Sequence, residues 1–361
     1  MSSPSPDRLH TVETLLASPA PKESRSRHLR GVVSRGVTTV DVDLSSEALE
    51  SYRRELTAYC YRMLGSGSEA EDAVQETLIR AWRKAEGFEG RSSVRSWLYR
   101  IATNVCLDMH RGAQRRARPV ELGPASAPDE SNLGPYLPEN LWISPVADDR
   151  ILPENADPAE VAEVRDSVRL AFVTALQHLP GRQRAALILC EVLRWQASEA
   201  AELLDTSVAA INSALQRARA TLSSVELKSR PVTVGADDAE LLQKYCDAFE
   251  RYDVSTLVAL LHEDAIQSMP PFAMWLHGAD NIGTWMVQPG PMACKGSRLV
   301  ATSANGRPAF AQYRRNPDGS GHHAWAIQIL DISGDKISAI NTFLDVENIF
   351  PQFGLPLTLA A

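Results

Sequence analysis

The sequence predicts a multidomain chain: two all-α units joined by an acidic linker, followed by an α+β unit. Three observations carry that expectation. Apolar residues recur at steps of three and four through two separate stretches, 46–118 and 159–225. Between them the composition changes: from Glu121 to Glu163 there are ten acidic residues and one basic residue, Arg150, with prolines at 119, 124, 128, 135, 138, 145, 153 and 158. Beyond Pro231, helical patterns at Ala236–Arg251 and Val254–Leu261 give way to strand-like runs at Pro308–Arg315, His322–Ile332 and Lys336–Leu344.

Residues 1–45 are rich in Ser, Pro, Arg and Thr without a sustained period and are expected to be disordered, with Arg25, Arg27, Arg30 and Arg35 a solvated tail. In the first unit, Leu56, Tyr59, Cys60, Met63 and Leu64 form a buried face, ended by Gly65 and Gly67. Ser68 and Glu71 have the spacing of a capping box for the next helix. That helix buries Val74, Leu78, Ala81, Trp82 and Ala85 and turns Asp72, Gln75, Glu76, Arg80 and Arg83 outward, acidic first and basic last, as the helix dipole favours. After a loop at 87–91 comes a helix rich in arginine. From Arg91 through Arg118 there are seven arginines and one acid, Asp108, interleaved with Trp97 and Tyr99. Arginine grips phosphates and aromatic rings stack on bases, so the arginine cluster points to nucleic acid, while Trp97 reads as core.

The linker composition, proline with like charge, opposes a packed core, and Leu141–Pro145 is an apolar island within it. Helix resumes over Asp157–Gln177, with Val161, Val164, Val168 and Phe172 inward. Then two helices are joined by about three residues. The first has Ser198 as its expected N-cap and Ala201 and Leu204 inward. The second is capped by Thr206 or Ser207, with Val208, Ile211, Leu215, Ala218 and Leu222 on one face and Asn212, Ser213, Gln216, Arg217 and Arg219 on the other. This is the pattern of a DNA-binding helix-turn-helix, an ordinary helical hairpin being the plainer alternative. Asp205 stands in the turn where a glycine would bend more easily.

Composition sets bounds. The 361 residues carry a net charge of −8, which argues against indiscriminate nucleic-acid binding, although local patches set the field at DNA. Five scattered cysteines (Cys60, Cys106, Cys190, Cys246, Cys294) suggest neither a zinc site nor a disulfide framework, and no metal or cofactor is expected. There is no apolar run of membrane-spanning length and no apolar signal core at the N-terminus, so a cytoplasmic protein without membrane contact is expected.

Taken together, the segment DAVQETLIRAWRK (residues 72–84), FEGRSSVRSWLYRIATNVCLD (residues 88–108) and LPGRQRAALIL (residues 179–189) with its helix-turn-helix resemble, in order and spacing, the extracytoplasmic-function sigma factors of bacterial RNA polymerase. The resemblance covers about residues 50–118, which look like sigma region 2, and 165–223, which look like region 4. It implies core RNA polymerase and promoter DNA as partners. It places Asp72, Gln75, Glu76 and Arg80 against the polymerase. It places Phe88, Arg91, Ser92, Ser93, Arg95, Asn104, Arg111 and Arg115 at the promoter −10 element, where a base is flipped, and Asn212, Ser213, Gln216, Arg217 and Arg219 at the −35 element. Position 212 is often basic in the family, and Gln216 departs from some members, so the −35 sequence is not transferable. The linker is implied to thread toward the polymerase active-site channel, its acidity imitating nucleic acid, with a plain tether as the alternative.

In the C-terminal unit Trp325, Ile327 and Ile329 share an expected face, and Ser333, Gly334 and Asp335 form a turn. ALLHEDAI (residues 259–266) and ILDISGDKISAINTFLD (residues 329–345) resemble the SnoaL-like branch of the nuclear-transport-factor-2 cone fold, over about residues 236–350. Some members of that fold are enzymes. Here His262, Asp264, His277, His322, His323 and Asp345 form no spacing that demands catalysis, so no catalytic residue is assigned. Met269, Phe272, Trp275 and Trp285 could line a ligand cone, with core packing the preferred reading. A small-molecule ligand and a regulatory protein are the candidate partners of this unit, which is expected to regulate the other two. The domain plan is 1–45 extension, 46–118 region 2, 119–158 linker, 159–225 region 4, 226–235 linker, 236–350 cone and 351–361 tail. The alternative is a SnoaL-like enzyme or ligand sensor with an appended helix-turn-helix acting as a repressor or activator.

Overall fold

The computed structural model describes residues 43–111, 115–153, 157–224 and 238–360; the expectations for residues 1–42 and for the short linker at 226–235 lie outside these. The first unit is α1 (Ser46–Glu50), α2 (Arg53–Leu64), α3 (Gly67–Lys84) and α4 (Val94–Met109). Gly65 ends α2 in the left-handed conformation, φ 73°. The cap of α3 lies two residues ahead of the expected one. Ser66 is extended, and its hydroxyl accepts from the Glu69 N–H, so Ser68 is already inside the helix. Trp82 also departs from expectation: it is 59% exposed although its neighbours Leu78, Ala81 and Ala85 are buried. It lies four residues from Leu78 and seven from Gln75, so it borders both faces, and the outer one takes it.

The second unit is α5 (Pro158–Ser167), α6 (Leu170–Gln177), α7 (Gly181–Leu187) with a π-turn at Ile188–Val192, α8 (Ala197–Leu203) and α9 (Val208–Ser224). The single helix expected over 157–177 is broken at Val168, and Val161 and Val164 are only half-buried. Gln196, not Ser198, caps α8: its backbone N–H donates to Glu199 Oε2 at 2.8 Å. The Ser207 hydroxyl caps α9 by accepting from the Ala210 N–H at 3.2 Å. Asp205 makes the turn at φ 51°, a left-handed geometry that costs an L-residue roughly 1 kcal/mol. Ile211, Leu215 and Ala218 are buried as expected, whereas Val208 is exposed in the first turn, ahead of where α7 covers the helix.

The third unit begins with α10 (Asp238–Arg251) and α11 (Val254–Leu260) and continues through β1 (Leu261–Ser268), β2 (Trp275–His277), α12 (Ala279–Met286), α13 (Pro289–Met292), β3 (Arg298–Ala304), β4 (Arg307–Arg315), β5 (His322–Ser333), β6 (Lys336–Phe343), α14 (Val346–Ile349) and β7 (Thr358–Leu359). The sheet order is β2-β1-β6-β5-β4-β3, with β7 on the start of β5; only β1 and β6 run parallel. Residues 351–360, expected as a tail, therefore fold back, and the Tyr313 hydroxyl donates to Pro356 O at 2.9 Å. A bulge opposite Gln312/Tyr313 shifts the β5 register from Ala326 to Ala324 and leaves Trp325 as the extra residue. Trp325 thus lines the concave side with Gln328, while Ile327 and Ile329 face the other way, contrary to the shared face expected.

The concave side closes over α10, α11 and α12 with its own core of Tyr245, Phe249, Trp285, Phe310, Leu330 and Ile340. The convex side has no separate core. Ala311, Tyr313, Ile327, Ile329, Phe343 and Phe350 belong to one continuous cluster with Tyr61 of α2, Ile143 and Val146 of the linker and Val168 before α6. The linker, expected as an extended tether, is laid across these units. Trp142 and Ile143 are buried, Ser126 N–H donates to Trp275 O (2.8 Å), and Leu137 N–H donates to Pro271 O (3.1 Å). Its prolines and short 3-10 turns let it lie against surfaces without forming a helix of its own.

Candidate nucleic-acid interface

The side chains expected on the outer face of α3 are open. Asp72 and Gln75 are exposed; Gln75 Oε1 accepts from Arg53 at 3.3 Å, and Arg80 pairs with Glu76 at 2.6 Å along the helix. With Trp82 they make a patch with an exposed aromatic at its end, a side chain that sequence periodicity places in the core.

The arginine-rich segment of α4 is more engaged than its composition suggested. Phe88 is buried against Trp97, ring centroids 4.9 Å apart. Arg95 donates to Glu55 Oε2 at 2.8 Å and lies over the rings of Tyr99 (5.2 Å) and Trp195 (5.6 Å). Arg100 donates to Glu202 O of α8 at 2.7 Å. Arg115 meets the His178 ring. Arg116 is buried, donating to Trp142 O at 2.8 Å and pairing with Glu69. Much of the cluster therefore binds protein carbonyls and carboxylates in this arrangement. Asn104 is exposed, as are Arg91, paired with Glu89, and Arg111, paired with Asp108; Ser93 caps α4, with Ser92 half-buried beside it.

On α9, Asn212, Ser213, Gln216 and Arg217 form an exposed row, and Arg219 pairs with Glu191. The two candidate surfaces are held together by residues that local patterns do not reveal. Arg184 is fully buried and donates to Met63 O of α2, to Gln177 Oε1 (2.6 Å) and to Leu179 O (3.0 Å). Arg62 is equally buried and donates to the Ser167 hydroxyl at 2.6 Å. Burial pushes both guanidiniums down to about 10. Surrounding oxygens offset that desolvation by accepting from both groups, although Arg184 Nε is buried without a partner. The Trp195 ring lies tilted against Tyr99, centroids 5.2 Å apart, and partly covers Arg95.

At the β3–β4 turn, Asn305 sits fully buried at φ 56°, followed by Gly306 at φ 70°. Its amide Nδ2 donates to the Tyr61 hydroxyl (2.6 Å) and to Val168 O (2.8 Å), and its Oδ1 accepts from Val146 N–H (3.2 Å). One side chain thus touches the first helical unit, the linker and the second helical unit. A Cβ on Gly306 would come within 2.9 Å of the Arg165 backbone, so this approach requires glycine.

The sequence candidates for acid–base chemistry are dispersed. His262, Asp264 and His277 line a cavity on the convex side, with His277 3.9 Å from Asp264. His322 faces Gly296 O, Asp345 bonds Asn348, and His323 alone of the six reaches the concave cavity, its ring 2.8 Å from Asn316 Oδ1. Met269, Phe272 and Trp285 do line that cavity, whereas Trp275 lines the convex one. Among the described residues no His, Cys, Asp or Glu cluster is arranged to hold a metal, and no helix is long and apolar enough to cross a membrane.

Family models match three segments: Sigma-70 region 2 over residues 48–116, Sigma-70 region 4 over 169–222 and a SnoaL-like domain over 242–340. The chain is 46% identical over 314 residues to the ECF RNA polymerase sigma factor SigG of Mycobacterium tuberculosis, covering 86% of this chain and 83% of that one. It is 28% identical over 182 residues to SigW of Bacillus subtilis, 50% of this chain and 88% of that one. The crystal structure of the M. tuberculosis extracytoplasmic function sigma factor SigJ shares the fold, with a TM-score of 0.53 at 23% identity over 86% of this chain and 99% of that one.

Proposed function

The chain belongs to the ECF RNA polymerase sigma factors and directs transcription initiation as one of them; on that premise we propose that its SnoaL-like domain holds the two promoter-reading units in a closed arrangement that core polymerase must open. In this reading Asp72, Gln75, Glu76, Arg80 and Trp82 dock on the polymerase. Phe88, Arg91, Ser92, Ser93, Arg95, Asn104, Arg111 and Arg115 serve the −10 element, and Asn212, Ser213, Gln216, Arg217 and Arg219 serve the −35 element.

The observation that carries it is the engagement of Arg95. A side chain meant for DNA is held by Glu55 at 2.8 Å and roofed by Trp195 from the second unit. The side chain keeps 42% of its surface exposed, so Glu55 and Trp195 compete with phosphate for it rather than sealing it off. A sigma factor needs no chemistry of its own, since the polymerase forms the phosphodiester bonds, and the dispersal of the His and Asp candidates favours a non-catalytic cone. Control of this kind needs different affinities for two arrangements, and polymerase supplies the difference by binding the open one.

The test is distance. Donor and acceptor dyes, introduced as unnatural amino acids at the exposed Met109 on α4 and Ala220 on α9, should move apart when core polymerase is added. Unchanged transfer efficiency in a complex that still initiates transcription would sink the closed-state reading.

A further inference from the structure

The concave side of the sheet encloses a cavity of about 700 Å³ that the two promoter-reading units do not use. That is within the range of small-molecule sites and too large for packing alone to leave in a domain of this size. Its walls are aromatic and apolar, from Tyr245, Phe249, Trp285, Met286, Phe272 and Ile340. Part of the wall comes from outside the domain. Glu130, Leu133 and Tyr136 of the linker line the same space. Tyr136 meets Phe272 edge-on at 5.3 Å, and Glu130 Oε1 accepts the Gly290 N–H.

The polar groups in this cavity divide into satisfied and unsatisfied. Tyr245, Gln328, Gln312 and Ser297 form a closed relay: hydroxyl to Gln328 Oε1 at 2.7 Å, Gln328 Nε2 to Gln312 Oε1 at 2.8 Å, Gln312 Nε2 to the Ser297 hydroxyl at 3.1 Å. Gln267 is different. It is 9% exposed, lines the cavity, and its Oε1 has no hydrogen-bond partner among the described residues. Arg314, which also lines the cavity, stacks on Trp325 at 3.3 Å and donates to Cys294 Sγ, yet its Nε is likewise buried without a partner. A buried acceptor and a buried donor left unpaired both cost stability, and both are met by an occupant carrying the opposite groups.

We propose that this cavity binds a small, flat, apolar molecule carrying a hydroxyl or N–H donor for Gln267 and an anionic or carbonyl oxygen for Arg314, and that occupancy holds the linker segment 126–137 against the domain. The apolar walls supply the affinity and the two unpaired groups the selectivity. Because Leu133 and Tyr136 are part of the wall, a molecule filling the space rests against them and opposes their departure. The linker arm of the proposal rests on the closed-state reading above; the ligand arm does not.

The probe is 1-anilinonaphthalene-8-sulfonate, which has flat apolar rings, one N–H donor and one anionic oxygen group. With the full chain it should bind one-to-one with enhanced fluorescence. Gln267→Leu and Arg314→Met, each checked for an unfolding midpoint matching the parent, should weaken binding about tenfold, the equivalent of one lost hydrogen bond to a buried group. Thr342→Phe, which narrows the cavity, should abolish it. Absence of binding, or binding unaffected by all three substitutions, overturns the site. If a midpoint falls, the remaining variants decide. Amide exchange in peptides spanning 126–137 should slow at saturating probe in the parent and not in Gln267→Leu. Binding with unchanged exchange overturns the linker arm and leaves the site standing. Retained energy transfer between α4 and α9 on adding polymerase would instead defeat the closed state, on which the linker arm rests, and leave the ligand arm standing.

Discussion

The Tyr61 hydroxyl and the Asn305 amide meet at 2.6 Å although 244 residues separate them in the chain. Both are fully buried, and the same Asn305 side chain also bonds Val146 and Val168. Asn305→Gly keeps the left-handed turn and deletes these bonds, leaving buried partners unsatisfied at a cost of about 1–3 kcal/mol. Urea unfolding should show that loss, and run-off transcription with core polymerase should rise because the closed arrangement is weakened. Lower stability with unchanged transcription would disconnect this contact from control.

Trp195→Ala removes the roof over Arg95 and Tyr99. Single-stranded DNA carrying a −10 sequence should then bind the free protein more tightly, by about tenfold, and lose that gain in Arg95→Ala. Equal affinity for parent and variant would mean that the roof does not limit access.

Trp82 is exposed at the end of the acidic face of α3. Trp82→Ala should leave the unfolding midpoint near the parent value and weaken polymerase affinity by roughly 1–2 kcal/mol, as expected for an aromatic anchor. Asp72→Lys should act in the same direction and be salt-sensitive. A drop in midpoint with unchanged affinity would return Trp82 to a structural role.

Arg217 is exposed on α9, free of the Glu191 contact that ties Arg219. If Arg217 reads a base edge, Arg217→Ala costs about 1–3 kcal/mol on the cognate −35 sequence and less on a scrambled one. Equal losses on both, measured by competition binding, would assign it to phosphate.

Two histidines give the fold an acid limit. Burial, then the Arg184 and Arg116 charges, hold His110 below its usual range; burial, then Arg115, does the same at His178. The unfolded chain therefore binds more protons below about pH 6.5. The stability these groups allow is full above that pH and is lost as pH falls toward their lowered folded values. Unfolding midpoints should drop between about pH 7 and pH 5.5, and drop less in a His110→Gln, His178→Gln double variant. Parallel pH slopes in the two proteins would exclude these histidines.

The helical units were legible because their apolar residues follow one period over three or more turns, as Ile211, Leu215 and Ala218 show. Errors fell where a residue borders two faces, as at Trp82, or where one inserted residue reverses a strand's alternation, as at Trp325. Cap positions slipped by two residues because neighbouring serines or polar residues compete for the same role, Ser66 against Ser68 and Gln196 against Ser198. What sequence did not carry was the joining of the units. Arg62, Arg184 and Asn305 bond backbone atoms far away in the chain, and a backbone carbonyl leaves no residue-type signal at its partner's position.

The convex face of the SnoaL-like sheet shares one apolar cluster with the sigma units, so removing the domain is not a neutral operation. A chain cut after α9 would bare Ile143, Val146 and Val168 to water along with the Tyr61 hydroxyl. Patches of that kind drive self-association. Inactivity of such a fragment would report on colloidal behaviour as much as on regulation. The SnoaL-like domain, proposed above as the regulator, is also a wall of the sigma units, so single-residue changes at the seam can separate the two effects where deletion would merge them.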